Sequence, residues 1–150
     1  MGHADELVDI VDEHDRVLRV APRQEMRTQR LRHRSVFVVV ESSASDILVH
    51  RRADHKDIWP GRWDLAAGGV VAAGEGYDVA AVRELHEELG IEAVALERLG
   101  RGIYEDSDVS EVATVYRARW DGPIRFADGA PMNGFVTAAD LDRLLNQTPR

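Results

Sequence analysis

The sequence predicts a single α/β domain built around a mixed sheet. Strand-like and helix-like segments intermix along the 150 residues, with no internal repeat and no linker-like stretch. The run Val36–Val40 is continuously apolar, as expected of a strand that is covered on both faces. The segment Tyr77–Leu89 has a helix-forming composition and is followed by Gly90, a typical helix stop signal. Together these observations predict an α/β fold.

The first 34 residues predict a hairpin followed by a short helix. Polar and apolar residues alternate over 7–20 and the alternation breaks at Asp12–Asp15, which indicates a polar turn between two strands. The segment 21–29 has a helix-forming composition, with Pro22 suited to a first helical turn. We expect residues 1–34 to form an extension of the domain.

The rest of the chain predicts a series of strands that ends in a strand and a helix. Apolar patterns separated by polar turns predict strands at Ser35–Val40, Asp46–Arg51, Leu65–Ala67, Ile91–Arg101 and Glu111–Arg119. A loop is predicted over 54–64, which contains Pro60-Gly61. The segment 135–147 predicts the last strand and helix, with Thr137 as a helix N-cap.

Composition restricts the class of function. The net charge of −8 argues against a general nucleic-acid binder but not against small phosphorylated ligands. The chain has no cysteine, which excludes disulfides, thiolate zinc sites and a cysteine nucleophile. No apolar run is long enough to span a bilayer, and the acidic first residues are not typical of a secretory signal. We therefore expect a cytoplasmic protein that binds neither membrane nor nucleic acid.

Helical periodicity divides the segment Tyr77–Leu89 into two faces. At about 100° per residue, one apolar stripe is predicted to face the core: Val79, Val82, Leu85 and Leu89. His86 falls beside this stripe, which predicts a buried packing residue. Three carboxylates form a patch directed away from the stripe: Glu84, Glu87 and Glu88.

Three carboxylates within one helical turn repel one another, so either solvent or a bound cation must compensate. Their hard oxygen atoms suit Mg²⁺ or Mn²⁺, and the preceding glycine-rich segment lets the backbone approach an ion closely. Arg83 could hold a carboxylate or contact a phosphate. A solvated Glu-rich helix face is the alternative explanation of the carboxylates alone.

The spacing of these residues decides between the two explanations. Gly69 is followed at fixed intervals by Glu75 and by the segment Arg83–Ile91, which reads RELHEELGI. This pattern resembles every fixed position of the Nudix box. The flanking segments LRHRSVFVVV and WPGRWDLAAGGVVAAGE resemble the branch of Nudix enzymes related to type 1 isopentenyl-diphosphate isomerase. The resemblance implies one domain over 1–150, a Nudix-type α/β/α sandwich around a mixed sheet, with 68–91 as a loop–helix–loop.

The resemblance also implies an activity. Nudix hydrolases cleave the diphosphate linkage between a nucleoside diphosphate and another moiety, by attack of metal-activated water on phosphorus. The metal ligands so implied are Glu84, Glu87, Glu88 and the carbonyl of Gly68 or Gly69. The base is Glu84 or Glu87, or a glutamate beyond the box, Glu105 or Glu111. The predicted catalytic residues are Arg83, Glu84, Glu87 and Glu111.

Substrate contacts are less directly indicated. Arg34 is the candidate for a terminal phosphate, and Trp59 and Trp63, with Tyr104, are candidates for stacking on a base. The predicted ligand is a small diphosphate compound of the nucleotide class. The hairpin at the amino terminus could support a homodimer.

Two other functions were compared with hydrolysis. An isopentenyl-diphosphate isomerase resembles the layout of this chain, but that chemistry needs an active-site cysteine, and the chain has none. A catalytically silent nucleotide sensor would usually carry a degraded box, whereas this box is intact. Hydrolysis is therefore the predicted function.

Overall fold

The computed structural model describes residues 5–51, 63–64, 66–126 and 133–136. In this part of the chain there are nine strands and two helices. They run in the order β1 (Leu7–Val11), β2 (Val17–Pro22), α1 (Arg23–Thr28), β3 (His33–Glu41), β4 (Ile47–Arg51), β5 (Trp63–Asp64), β6 (Ala66–Val70), α2 (Tyr77–Leu89), β7 (Leu96–Glu105), β8 (Ser110–Arg119) and β9 (Asn133–Val136). None of the helices within these ranges is long and apolar enough to cross a bilayer.

Strand β3 is the centre of the sheet. It runs parallel to β8, with His33 opposite Glu111, and antiparallel to β6, with Ser35 opposite Val70. Strand β7 pairs antiparallel with the outer side of β8, and β4 joins β3 next to its carboxyl end and also pairs with β5 and β9. The hairpin β1–β2 meets β3 where Ile10 lies opposite His33. The prediction of a mixed sheet is confirmed.

The two faces of β3 have different partners, because successive side chains of a strand point to opposite faces. Val36, Val38 and Val40 pack with Leu85 and Leu89 of α2, and we call their side of the sheet the helix face. His33, Ser35 and Phe37 alternate with these valines and lie on the opposite side, which we call the far face.

The amino-terminal hairpin and α1 pack at one end of the far face. Val8, Ile10 and Met26 are buried against Val70, which lies opposite Ser35 in the sheet. The sheet is therefore flanked by helices, as the predicted α/β/α arrangement requires.

Helix α2 has the predicted bounds, but its buried face differs from the predicted one. Gly90 ends the helix in the left-handed region, at φ 66°. Val79 and Val82 are exposed, at 62% and 54%, whereas Ala80 and Ala81 are fully buried. The predicted apolar stripe is therefore wrong in its first half, because small alanine side chains let the helix approach the sheet more closely than valines would.

His86 is the second correction on α2. It was predicted to be buried, but its side chain is 49% exposed and its Nε2 lies 2.8 Å from Glu92 Oε1. The rotation of the helix that buries Ala80 and Ala81 turns His86 towards solvent. Glu84, by contrast, is turned inward and is only 9% exposed.

Three predicted strand boundaries also change. Gly68–Val70, expected in a loop, belong to β6 because they pair with β3. The strand predicted from Ile91 begins only at Leu96 and extends to Glu105, since Gly90 and Ala93 both have positive φ and turn the chain first. Of the predicted loop 54–64, residues 54–62 lie outside the described residues, and the last two residues form β5. The helix predicted after Thr137 also lies outside them.

Candidate active site

The site begins where β6 and α2 approach one another most closely. Gly69 faces α2, and a Cβ built on it would lie 2.6 Å from Oε1 of Glu84. A Cβ on Gly68 would lie 2.1 Å from the carbonyl oxygen of Val36. Real Cβ atoms do not make contacts this short. At Gly68 the close atom belongs to the backbone, so that position requires glycine, whereas a side chain at Gly69 would force the Glu84 carboxylate to move. The absence of a side chain at Gly69 leaves the space that the Glu84 carboxylate occupies.

Arg83 organises the carboxylates around this contact. Its Nε and Nη2 each donate to Glu75 across 2.8 Å, and Nη2 also donates to the Val70 carbonyl at 3.2 Å. Its Nη1 donates to Glu84 Oε1 at 2.8 Å and to Glu87 Oε2 at 3.3 Å. One guanidinium therefore connects the loop after β6 with two of the three glutamates of α2.

These contacts shift the ionisation of both partners of the central pair. The hydrogen bond from Arg83 lowers the pKa of Glu75, with burial opposing the shift and the Ala72 N–H adding to it. The hydrogen bond to Glu75 in turn raises the pKa of Arg83, and Glu84 contributes further. Both groups therefore stay charged near neutral pH. Arg83 thus offsets part of the repulsion that the sequence predicts among the glutamates of α2.

The donor set around Glu84 suits a hard divalent ion. Glu84, Glu87 and Glu88 are neighbours on the helix surface at spacings of three and four residues. Glu87 is exposed and Glu88 is half-buried, so this side of the patch is open to solvent. Among the described side chains, no three acidic or histidine groups are close enough together to hold an ion already. The chemistry of the donors nevertheless fits Mg²⁺ or Mn²⁺, which prefer carboxylate and carbonyl oxygens and retain waters.

The antiparallel ladder distinguishes the two glycine carbonyls. The Val71 N–H donates to the Arg34 carbonyl at 2.9 Å, next to the pair Ser35–Val70. By the regular alternation of such a ladder, the carbonyl of Gly69 points to β3 and that of Gly68 points away from it. Gly68 therefore has the carbonyl that is directed out of the sheet ladder.

Glu111 lies apart from the box glutamates, on the far face of the sheet. It is 6% exposed and accepts a hydrogen bond from the Ser35 hydroxyl at 2.7 Å. Nε2 of His33, which is 1% exposed, lies 3.7 Å from the same carboxylate oxygen of Glu111. Gly68 pairs with Phe37 and so shares the far face with these residues. The far face thus contains both Gly68 and the buried acid.

Arg34 is held by the tip of the amino-terminal hairpin. Its Nε donates to Asp15 Oδ1 and its Nη2 to the Asp15 carbonyl, both at 2.7 Å. Burial alone would lower the pKa of Arg34, but the Asp15 carboxylate raises it above its ordinary value. Tyr77, the first residue of α2, donates from its hydroxyl to the other Asp15 oxygen at 2.9 Å. This hydrogen bond connects the turn of the hairpin with the first residue of α2.

Several of these contacts could not be inferred from the sequence. The guanidinium of Arg101 stacks over the Tyr77 ring at 4.1 Å, and its Nε donates to the Thr114 hydroxyl. Neither Arg101 nor Thr114 belongs to a recognisable motif. The partnership of His33 with Glu111 depends on the register of two parallel strands, which no local pattern reveals. Asp15 was predicted only as part of a turn.

The remaining predicted residues are placed as follows. Trp59 lies outside the described residues, and of Trp63 only the backbone is described, in β5. Tyr104 is 45% exposed and donates from its hydroxyl to Asp106. Glu105 accepts a hydrogen bond from Arg32 at 2.9 Å.

Comparison with known proteins identifies the family. The model of the NUDIX domain matches residues 31–149. A relative named an uncharacterized Nudix hydrolase, from Yersinia pestis, is 48% identical over 67% of this chain. Another of that name, from Streptomyces coelicolor, is 39% identical over 98% of the chain. The chain spans 56% of the Yersinia relative's length and 83% of the Streptomyces relative's length.

A solved structure resembles the whole fold. The crystal structure of DR0079 from Deinococcus radiodurans has a TM-score of 0.79 and 27% identity, covering 95% of this chain and 91% of its own. The likeness extends over the sheet and α2, and the family model includes the whole box from Gly69 to Ile91. The chain therefore belongs to the NUDIX domain family of hydrolases.

Proposed function

We propose that this chain is a metal-dependent hydrolase that cleaves a diphosphate linkage in a nucleoside diphosphate joined to another moiety. The observation that carries the proposal is the contact of Glu84 with Gly69, together with the Arg83 guanidinium that holds Glu84 and Glu87. Residues that the box spaces far apart are brought into direct contact. These contacts place a group of carboxylates beside the two glycines of β6.

Each residue has a separate role in the proposed reaction. Glu84, Glu87, Glu88 and the Gly68 carbonyl would hold Mg²⁺ or Mn²⁺, which supplies charge neutralisation of the diphosphate and a more acidic water. Arg83 orients the carboxylates, and Glu75 holds Arg83 in turn. The remaining role to assign is that of the carboxylate that accepts a proton from the attacking water.

We place Glu111 in the role of proton acceptor, with Glu84 and Glu87 as the other candidates. Glu84 and Glu87 both accept hydrogen bonds from Arg83, so part of their capacity to accept a proton from water is already engaged. Glu111 accepts a hydrogen bond from the Ser35 hydroxyl and shares the far face with Gly68. A substrate lying over that face, with its diphosphate at Gly68, would extend towards Glu111.

The substrate-binding residues are part of the proposal as well. Trp59 and Trp63 are proposed to contact the base or the other moiety, since both come from the segment just before the box. Arg34 is proposed to contact a terminal phosphate. Its Nε and Nη2 are engaged by Asp15, so Nη1 is the donor that we propose for this contact.

The branch of the family, the cellular location and the oligomeric state are also part of the proposal. Its flanking segments support the branch that resembles type 1 isopentenyl-diphosphate isomerase, but the absence of cysteine favours hydrolysis over isomerisation. A cytoplasmic location agrees with the sequence. A homodimer through the hairpin is supported by three exposed apolar residues of β2, which are Val17, Leu18 and Val20.

The test is hydrolysis of a panel of nucleoside triphosphates, nucleotide sugars, dinucleotides and coenzymes, with isopentenyl diphosphate included. Each is assayed with and without Mg²⁺ or Mn²⁺, and products are identified by mass spectrometry. We expect metal-dependent cleavage of one class, lost in Glu87→Gln and kept in the matched control Glu92→Gln, which alters an exposed glutamate just beyond the box. Tight nucleotide binding without any cleavage would contradict the proposal and favour a sensor.

A further inference from the structure

The far face contains a buried group of polar side chains that the box does not include. His33, Ser35 and Glu111 are 1%, 2% and 6% exposed. The parallel register places His33 directly opposite Glu111, and Ser35 follows His33 on the same face. A polar group this deeply buried costs free energy unless its partners satisfy it. Their arrangement therefore needs a physical account.

The hydrogen bonds define the state of the histidine ring. Nδ1 of His33 lies 3.0 Å from the carbonyl oxygen of Leu31. A carbonyl only accepts hydrogen bonds, so Nδ1 carries a proton and Nε2 is the nitrogen directed at Glu111. When Nε2 is also protonated, the ring is positively charged and lies 3.7 Å from Glu111 Oε2.

The same contacts define the state of the carboxylate. The Ser35 hydroxyl donates to Oε2 of Glu111 at 2.7 Å, which restricts rotation of the carboxyl group. Nε2 of His33 lies 3.7 Å from the same oxygen, beyond hydrogen-bond distance but within the range of an ion pair. A buried carboxylate without a positive neighbour tends to take up a proton, and a protonated carboxyl cannot accept one from water. An imidazolium at His33 would favour the ionised form of Glu111.

Other charged groups near the pair are engaged elsewhere within the described residues. Arg32, next to His33 in the chain, donates to Glu105 at 2.9 Å. Tyr104, opposite Glu111 on β7, donates to Asp106. On β1, the residue opposite His33 is the apolar Ile10. His33 faces Glu111 across the parallel register and can carry a positive charge there.

We infer that His33 is a positioning residue that keeps Glu111 ionised and oriented as the proton acceptor of the hydrolysis, an inference that rests on the proposed function. In the step, the water oxygen forms a bond to phosphorus and the phosphorus–oxygen bond of the anhydride breaks. The departing phosphate keeps the electron pair of that bond. The proton of the water passes to Glu111 and is later released to solvent, while His33 keeps its own proton.

A first experiment examines the pair without any substrate. The protonation of His33 is followed by ¹⁵N NMR of the imidazole ring against pH, with the signal assigned by its loss in His33→Asn. We expect the ring to lose its proton at a pH lower by about one unit or more in Glu111→Gln, because the negative neighbour is gone. An unchanged titration would overturn the pairing even if the enzyme hydrolyses diphosphates.

A second experiment examines catalysis with the substrate that the hydrolysis panel identifies. His33→Asn retains a donor near the Leu31 carbonyl but removes Nε2, and His33→Gln places a neutral amide near Glu111. We expect the acid limb of the kcat/KM profile to move up by about one pH unit or more in both variants, with KM little changed and activity recovered at high pH.

The outcomes separate the two hypotheses. A purely structural role of His33 would lower activity by the same factor at every pH, and this result would overturn the inference. A chain that cleaves nothing in the panel would remove the proposed function and with it the catalytic role, while the NMR titration would still decide whether His33 and Glu111 form a pair.

Discussion

A Cβ on Gly69 would approach Oε1 of Glu84 to within 2.6 Å, so the acid of helix α2 lies directly against the backbone of strand β6. This contact explains why Glu84 is buried although Glu87, on the same helix, is exposed. It depends on a short separation between helix and sheet, which Ala80 and Ala81 permit. Close packing of small residues therefore positions Glu84, the first glutamate of α2.

Substitution of Gly69 should separate activity from stability. Gly69→Ala forces Glu84 to move, and a displacement of about 1 Å in an active site can cost roughly 100-fold in rate. We expect kcat to fall by about that factor with only a modest change in melting temperature. Gly100→Ala is the matched control because a Cβ there meets nothing within 4 Å. Wild-type activity in Gly69→Ala would show that the contact is dispensable.

Divalent metal should stabilise the folded chain. A ligand that binds only the folded state adds about 2.7 kcal/mol at a concentration 100 times its Kd. We expect Mg²⁺ to raise the melting temperature, and Glu87→Gln combined with Glu88→Gln to abolish the rise. Differential scanning fluorimetry across a Mg²⁺ titration measures both. If the double variant keeps the full response, the metal lies elsewhere, and Glu92→Gln controls for the loss of charge.

The Glu75–Arg83 pair should make stability depend on pH on the acid side. The hydrogen bond from Arg83 lowers the folded-state pKa of Glu75 below its ordinary value of 4.5. The ionised carboxylate therefore stabilises the fold above that pH, and the contribution is lost as pH falls through the lowered folded value. The stability difference between wild type and Glu75→Gln should be full at neutral pH and shrink below pH 4.5.

Urea unfolding of both proteins across this range measures the difference. A double-mutant cycle with Arg83→Gln should give a coupling free energy on the order of 1–3 kcal/mol at neutral pH. A coupling near zero would mean that the two side chains do not depend on one another in solution. A difference that grows as pH falls would contradict the predicted sign.

The rotation of α2 can be tested with adjacent residues. Ala81 is fully buried, so Ala81→Leu should destabilise by about 1–3 kcal/mol through overpacking. Val82 is 54% exposed, and Val82→Ala should change the free energy of unfolding by less than about 0.5 kcal/mol. Chemical denaturation measures both values. The reverse order of effects would restore the stripe that the sequence predicted.

The sequence by itself determined the local elements and the identity of the box. Helix α2 has the predicted bounds because Gly90 is the residue that most easily adopts the left-handed conformation after a helix. The strand through Val36–Val40 follows from its uninterrupted apolar character. The family follows from the spacing of Gly69, Glu75 and Arg83–Ile91. Each of these signals is contained in a short segment of chain.

Only the tertiary structure decided which face of α2 is buried and which residues surround each acid. Hydrophobicity favoured Val79 and Val82 as core residues. Because helix and sheet lie close together, small alanine side chains are buried between them instead, and Glu84 is turned inward. The pairing of His33 with Glu111 joins residues 78 positions apart through a parallel strand register. Local preferences act over a few residues, whereas packing distance and strand register depend on the whole domain. The residues of the candidate site could therefore be predicted from the sequence, but their arrangement in space could not.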